Sequence, residues 1–249
     1  GSGDVEQDHQ SQWPALPPAS DYLPMRTPFR SIGDPGSQGL VSGYMAPIPE
    51  AWREQLKGDV LMGQAGLPII SRGSAGPGAA SFRASDVREL NQVPRTLLVG
   101  YPQGHWMPGH PWDNPNADEV YNFATIITGC AIVGDVLVFV GSHGYGKPCY
   151  GDGTSDPDAA DGVHVCYDPA SSAKSNHAYP YRLQLWWYPL ADLAAVARGE
   201  KEPWSLVPDW FELTVPFKQL AAQCNGCAFD PSTNRLYVSV YAADGYGWE

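Results

Sequence analysis

The amino-acid sequence predicts an all-β protein built from four-stranded antiparallel sheets, and three observations support this. Short runs rich in β-branched and aromatic residues recur along the chain and are separated by turn residues. The chain contains 27 Gly and 24 Pro, which favours many turns over long helices. A strand–turn–strand unit also occurs twice, and such an internal repeat is typical of proteins that stack equivalent units.

The repeated unit begins with a small residue, a glycine and a cysteine. Its first copy covers residues 128–140 and its second copy covers residues 225–240. Cys130 and Cys227 occupy equivalent positions in the two copies. Each copy has two apolar runs around a short polar turn, which predicts a tight antiparallel hairpin.

Composition excludes two classes of partner. The net charge of −12 disfavours nucleic acid, because the average field of the protein repels a polyanion. No apolar run approaches the ~20 residues that a membrane span needs. A hydrophobic content of 43% supports a sizeable core, and an aromatic content of 12% suits both β-sheet cores and ligand clefts.

The chain divides into a short arm and a β region. Residues 1–20 are polar and proline-rich, which predicts a linker or covering arm, and residues 1–3 resemble a cloning remnant. Residues 21–249 then form the β region. Two helical segments interrupt it, at residues 49–56 and 191–198. A proline begins the first segment and a glycine ends each of them.

The β-runs follow one another in a four-strand order. Residues 181–188 alternate polar and apolar side chains, which predicts an outer strand with one solvated face. The predicted strands cover residues 67–71, 81–84, 95–101, 123–133, 135–141, 181–188, 210–215, 226–229 and 235–241.

Repeated four-stranded meanders form the blades of a β-propeller. The sequence therefore predicts blades at about 39–104 and 123–217 and a partial blade at 218–249. Closing a propeller takes at least about four blades. We therefore expect that the chain is an excerpt of a longer protein, that other chains complete the ring, or that the sheets pack as a sandwich instead.

The cysteines indicate a disulfide. Cys149 and Cys166 flank a loop rich in Gly and Asp and are placed to bridge it. Cys224 and Cys227 form a single CxxC, which is weak evidence for zinc or redox chemistry without a second pair. A loop disulfide, with few Lys and many Trp, Tyr, Gly and Pro, favours a secreted protein.

Three segments resemble a known group of proteins. Residues 61–72, residues 140–146 with 149–151, and residues 177–181 look like segments of uncharacterised, predicted secreted bacterial β-propeller proteins. The resemblance covers about residues 39–249. It implies a propeller with further blades before and after this stretch, and it brings no established activity.

The long loops are predicted to share one face of the protein. Successive connections in an antiparallel meander alternate between the two ends of the strands. The loops at residues 101–122 and 141–180 therefore leave from the same end, and loops on a rigid scaffold are where binding and catalysis concentrate. Together they hold five of the six histidines and many aromatic side chains.

A saccharide or another small polar ligand is the first functional hypothesis for this face, which residues 101–122 and 141–182 form. Sugar rings stack on aromatic faces, and polar side chains bind the hydroxyls. Tyr145, Tyr179 and Arg182 also suit this role. The predicted ligand-binding residues are His105, Trp106, His110, Trp112, Tyr150 and His164.

Two alternatives stay open at this point. A lyase-like or hydrolytic propeller enzyme would use His143 or His177 with Tyr145 or Tyr179 as acid and base, and Arg182 to hold an anionic group. A structural subunit would instead pair its sheet edges with other chains.

A calcium site is a further hypothesis. Carboxylates and free carbonyls in a glycine-rich loop suit Ca²⁺, although the spacing is not that of an EF-hand. The candidate ligands are Asp152, Asp156, Asp158 and Asp161.

Overall fold

The structure is a computed structural model. The residues it describes are 41–65, 78–86, 95–100, 120, 122, 125–215 and 223–241. The predicted arm at 1–20, the predicted strand at 67–71 and four predicted ligand-binding residues (His105, Trp106, His110 and Trp112) lie outside this range.

The first sheet is a four-stranded antiparallel meander in the order β1-β2-β3-β4. Helix α1 (Glu50–Arg53) lies between its first two strands, within the predicted helical segment. The strands are β1 (Val41–Pro47), β2 (Val60–Ala65), β3 (Ala79–Phe82) and β4 (Arg95–Val99).

Neither β1 nor β2 was predicted from the sequence. The sequence of β1 carries Gly43 and Pro47, which disfavour strands in isolation. It forms through pairing with β2 around a β-bulge between Ser42 and Tyr44. Gly58 lies close to the backbone of β3, where a Cβ would be only 2.6 Å from the carbonyl oxygen of Phe82, so a larger residue does not fit without a shift. Tertiary pairing therefore overrides local propensity in this sheet.

The second sheet is also four-stranded and antiparallel, in the order β11-β10-β6-β5. A three-stranded sheet is inserted between its strands β6 and β10, and helix α2 precedes β11. The elements are β5 (Ile126–Val133), β6 (Val136–Gly144), β7 (Cys149–Thr154), β8 (Val165–Tyr167), β9 (Lys174–His177), β10 (Tyr181–Pro189), α2 (Leu190–Ala197) and β11 (Asp209–Glu212).

The sequence repeat is also a structural repeat. Strands β12 (Gln223–Asp230) and β13 (Arg235–Tyr241) form a hairpin like that of β5 and β6. Both hairpins shift register at the equivalent place, just before Gly129 in one and just before Gly226 in the other. A Cβ on Gly129 would lie 2.7 Å from the amide nitrogen of Cys227, so the glycine allows β5 to approach β12 closely.

The second sheet is buried on both faces. Phe139 and Trp186 point into a core shared with the first sheet and with α2. Val140 and Leu185, which alternate with them along the strands, point into a second core with the β12–β13 hairpin. Each face of this sheet is therefore covered by its neighbour along the chain.

The prediction that residues 181–188 form an outer strand with a solvated face is wrong. Strand β10 lies inside its sheet, between β6 and β11. Its polar residue Gln184 is fully buried and hydrogen-bonds the carbonyl oxygen of Val120 at 3.0 Å and the hydroxyl of Tyr145 at 2.9 Å. The alternation thus marks two packed faces, one of them with a satisfied polar group.

The described residues form antiparallel four-stranded sheets with one partner hairpin, and they contain no closed barrel. None of the described helices has the length and apolar character to cross a membrane.

Candidate functional site

The candidate site lies in the inserted sheet. Strand β7 pairs with β9 in antiparallel and with β8 in parallel orientation. The predicted disulfide between Cys149 and Cys166 is confirmed; it links β7 to β8 with the two Cα atoms 5.8 Å apart. Strand β8 has only three paired residues, and the covalent bond reinforces this short ladder.

A cleft of about 340 Å³ opens beside this disulfide. Its volume falls within the range of small-molecule sites. The residues that line it come from the β6–β7 connection, β7, the β7–β8 loop, β8, β9 and the β9–β10 connection. They include Lys147, Asp161, Tyr167, His177 and Tyr179 together with the two disulfide cysteines.

Two tyrosine rings form the aromatic part of the cleft. The rings of Tyr167 and Tyr179 meet edge to face, with centroids 5.6 Å apart and planes at 88°. Tyr181 packs against the other side of Tyr179, with centroids 6.2 Å apart. Tyr167 is 42% exposed, so its ring is accessible to a ligand.

Asp161 carries the negative charge of the cleft. Its Oδ1 accepts hydrogen bonds from the backbone N–H groups of residues 163, 164 and 165 at 2.7, 2.7 and 2.8 Å. These donors lower the pKa of Asp161 to about 2 because they stabilise the ionised form. The carboxylate therefore stays charged at physiological pH while it shapes the β7–β8 loop.

His177, which the sequence predicts as a catalytic residue, is 1% exposed and lies in a dense hydrogen-bond network. Its Nδ1 lies 2.7 Å from Oδ2 of Asp168, which is also buried. The Asp168 carboxylate accepts further hydrogen bonds from the Tyr181 hydroxyl at 2.8 Å and the Ala170 N–H at 2.9 Å. Burial, followed by this contact with Asp168, raises the pKa of Tyr181.

The positions of Ser175, His177 and Asp168 resemble a nucleophile, base and orienting acid. The hydroxyl of Ser175 lies 3.1 Å from Nε2 of His177. That nitrogen also faces the carbonyl oxygens of Ala173 at 2.9 Å and Gly151 at 3.2 Å. A carbonyl only accepts, so Nε2 carries a hydrogen and donates, and it does not take a proton from Ser175. The network therefore holds the inserted sheet together.

A second polar cluster surrounds His143, which is fully buried. Its Nδ1 is 2.8 Å from the hydroxyl of Thr125, and its ring packs edge to face on Tyr145 with centroids 4.7 Å apart. The guanidinium of Arg182 lies 4.5 Å from the centre of the Tyr145 ring and pairs with Glu212 at 2.7 Å. This cluster ties the segment before β5 to the ends of β6 and β10.

The contacts divide the five predicted catalytic residues into two groups. His143, Tyr145 and Arg182 belong to the second cluster, whereas His177 and Tyr179 line the cleft. Both histidines are buried and hydrogen-bonded. Of the other predicted ligand-binding residues, Tyr150 is half-buried on β7, His164 has an 84% exposed side chain, and neither lines the cleft.

The structure does not gather the predicted calcium ligands. Asp156 accepts a hydrogen bond from the Asp158 N–H at 3.0 Å, and Asp161 accepts three from its own loop, so these carboxylates act as turn caps. Asp152 lies on strand β7, whereas the other three lie in the β7–β8 loop. Within the described part of the chain, no group of three or more His, Cys, Asp or Glu side chains is arranged to hold a metal ion.

The three remaining cysteines, Cys130, Cys224 and Cys227, are not joined in a disulfide. Burial raises the pKa of Cys224 to about 11 and, with the neighbouring Cys130 and Cys224, that of Cys227 to about 12. Such thiols are poor nucleophiles at neutral pH. The two cysteines of the CxxC therefore act as packed side chains of β12 rather than as reactive thiols.

Sequence reasoning missed three residues of the site: Lys147, Tyr167 and Asp168. Only Tyr167 had a local signal, its position beside the bridged Cys166. No family model, no curated protein and no solved structure matches the chain.

Proposed function

We propose that the protein is an extracellular binding protein that holds a saccharide or another small polar ligand in the cleft beside the Cys149–Cys166 disulfide. The observation that supports this most strongly is the pairing of two accessible tyrosine rings with charged side chains in one cleft of about 340 Å³. Tyrosine faces stack on the apolar faces of sugar rings, and charged groups bind the hydroxyls.

The burial and the hydrogen bonds of His143 and His177 favour a binding role over a catalytic one. A general acid or base must be within reach of the proton that it transfers. His143 and His177 are 0% and 1% exposed, and the ring of His177 uses both nitrogens within the protein. A lyase or hydrolase mechanism through these residues therefore has no support from their geometry.

The scaffold of this proposal is a β-propeller. Two consecutive four-stranded antiparallel sheets and a third hairpin with the same bulge support it. Strand β5, the first of its sheet, packs against β1 on one side and β12 on the other, which is the neighbour relation expected of the innermost strands of adjacent blades. Further blades or other chains would complete the ring.

We propose that the protein is secreted and that it comes from a bacterium. The disulfide supports it, because such bonds form and persist in oxidising compartments.

The test is direct titration of saccharides against the protein and two variants. We expect Tyr167→Ala to weaken binding about tenfold, which corresponds to about 1.4 kcal/mol, because it removes a stacking ring. The matched control is Tyr237→Ala, since Tyr237 is 53% exposed on β13 and far from the cleft in sequence.

Isothermal titration calorimetry, guided by a glycan array, provides the dissociation constants. An unchanged affinity in Tyr167→Ala, or an equal loss in both variants, would contradict a binding role for the cleft. If no glycan on the array binds the protein detectably, the proposal of a saccharide ligand is refuted.

A further inference from the structure

The uncommitted polar groups of the cleft are mainly hydrogen-bond donors. The ammonium group of Lys147 has no hydrogen-bond or ion-pair partner among the described residues, and the same is true of the hydroxyls of Tyr167 and Tyr179. An ammonium group offers three donors and no acceptor, and a phenol offers one donor and can also accept. The set therefore offers more donors than acceptors, and the ammonium group in particular requires an acceptor or an anion on the ligand.

The acceptors of the cleft are already used in part by the protein. Oδ1 of Asp161 receives three backbone N–H groups, which leaves only Oδ2, itself 3.6 Å from Nδ1 of His164. The imidazole of His177 is occupied on both nitrogens. A carboxylate held in this way is poorly placed to accept hydrogen bonds from two neighbouring sugar hydroxyls with both of its oxygens.

The backbone fixes Lys147 beside the tyrosines. The N–H groups of Tyr145 and Gly146 donate to the carbonyl oxygens of Pro180 and Ala178, both at 2.8 Å. A Cβ on Gly146 would lie 1.9 Å from the carbonyl oxygen of Tyr179, so only glycine allows this approach. Lys147, which follows Gly146, is therefore held close to the backbone of Tyr179, and it lines the same cleft as the two tyrosine rings.

From these groups we propose that the ligand is an acidic saccharide, whose anionic oxygen pairs with Lys147 while its ring stacks on the exposed ring of Tyr167 and contacts Tyr179. This inference rests on the proposed function and specifies its ligand class. The net charge of −12 repels a polyanion, so a short ligand with one acidic group suits the cleft better than a long acidic polymer.

The experiment compares glucuronic acid and galacturonic acid, and glucose 6-sulfate, with glucose and galactose by calorimetric titration. We expect the acidic sugars to bind at least about tenfold more tightly than the neutral ones, a preference that weakens with added salt. The two uronates and the sulfate distinguish a carboxylate from a sulfate as the anionic group.

Variants assign the preference to one side chain. Lys147→Gln should abolish the difference between acidic and neutral sugars, and Lys147→Arg should retain it. Lys174→Gln is the matched control, because Lys174 is an exposed lysine of β9 that does not line the cleft.

The outcomes separate the two proposals. If neutral and acidic sugars bind equally and Lys147→Gln changes nothing, while Tyr167→Ala still weakens binding, the inference about charge is wrong and the binding function stands. If none of these sugars binds while the glycan array still yields a neutral ligand that Tyr167→Ala weakens, the inference about charge fails alone; if the array also shows no binding, the saccharide proposal fails with it.

Discussion

Replacement of Asp168 by asparagine tests whether the buried network holds the inserted sheet together. The Asp168 carboxylate lies 2.7 Å from Nδ1 of His177 and accepts hydrogen bonds from the Tyr181 hydroxyl at 2.8 Å and the Ala170 N–H at 2.9 Å, and the side chains of Asp168 and His177 are each 1% exposed. An amide in place of the carboxylate has one acceptor oxygen fewer, and leaving a buried hydrogen-bonding group without its partner costs about 1–3 kcal/mol. We expect Asp168→Asn to lose that much stability in the inserted sheet.

Asp192→Asn provides the matched control. Asp192 pairs with Lys201 at 2.6 Å, but its side chain is 41% exposed and that of Lys201 is 45% exposed. Removing an exposed pair of this kind costs at most about 1 kcal/mol. Both variants replace a carboxylate by an amide at a hydrogen-bonded contact, and they differ in burial.

Hydrogen exchange of the β7 and β9 amides measures the local stability, and urea unfolding followed by tryptophan fluorescence measures the global stability. We expect Asp168→Asn to lose exchange protection in these two strands first, while Asp192→Asn keeps it. Equal protection in the two variants would refute the view that the His177–Asp168 pair organises the insertion.

Two further predictions concern the same loop. The disulfide closes a loop of 17 residues, so its loss gives the unfolded loop greater conformational freedom. We expect the double variant Cys149→Ser, Cys166→Ser to destabilise the insertion by about 3 kcal/mol and to make the β7–β8 loop more sensitive to protease. Protease resistance equal to that of the parent protein would contradict this prediction. The pKa of Asp161 is lowered from 3.8 to about 2, so the ionised carboxylate stabilises the loop fully above about pH 4, and this stabilisation is lost as the pH falls through 2. The amide resonances of Val163 and Val165 should therefore titrate with a midpoint near 2, and Asp161→Asn should abolish this titration. A midpoint near 4 would count against the three hydrogen bonds.

Much of the second sheet and of the repeat was predictable. Hydrophobic runs flanked by turns mark β5, β6, β12 and β13, and the structure places all four where the sequence predicts strands. Helix α2 also lies within a residue of its predicted position. These elements combine favourable local propensity with burial, so the two signals agree.

The inserted sheet was not predictable in the same way. Strand β7 reads Cys-Tyr-Gly-Asp-Gly-Thr and β9 reads Lys-Ser-Asn-His, which are turn-forming compositions. Their pairing depends on the disulfide and on the buried His177–Asp168 contact, neither of which local propensity reports. The sequence located the loop correctly but gave no sign of the sheet within it.

The candidate site was predictable only in part. Tyr179, His177, Asp161 and the disulfide were identified from residue type and position in a long loop. Asp168 was missed because no spacing rule links it to His177, and its role depends on burial. The four predicted calcium ligands were grouped by their nearness in sequence, whereas the structure uses the carboxylates of Asp156 and Asp161 to cap turns.

An NMR titration of the protein with glucuronic acid shows directly whether the cleft is a binding site. We expect the resonances of Lys147, Tyr167 and Tyr179 to shift together and saturate, while those of Tyr237 on β13 stay unchanged. Saturable shifts confined to another surface, or no shift in these three residues at any ligand concentration, would contradict the assignment of the cleft as the binding site.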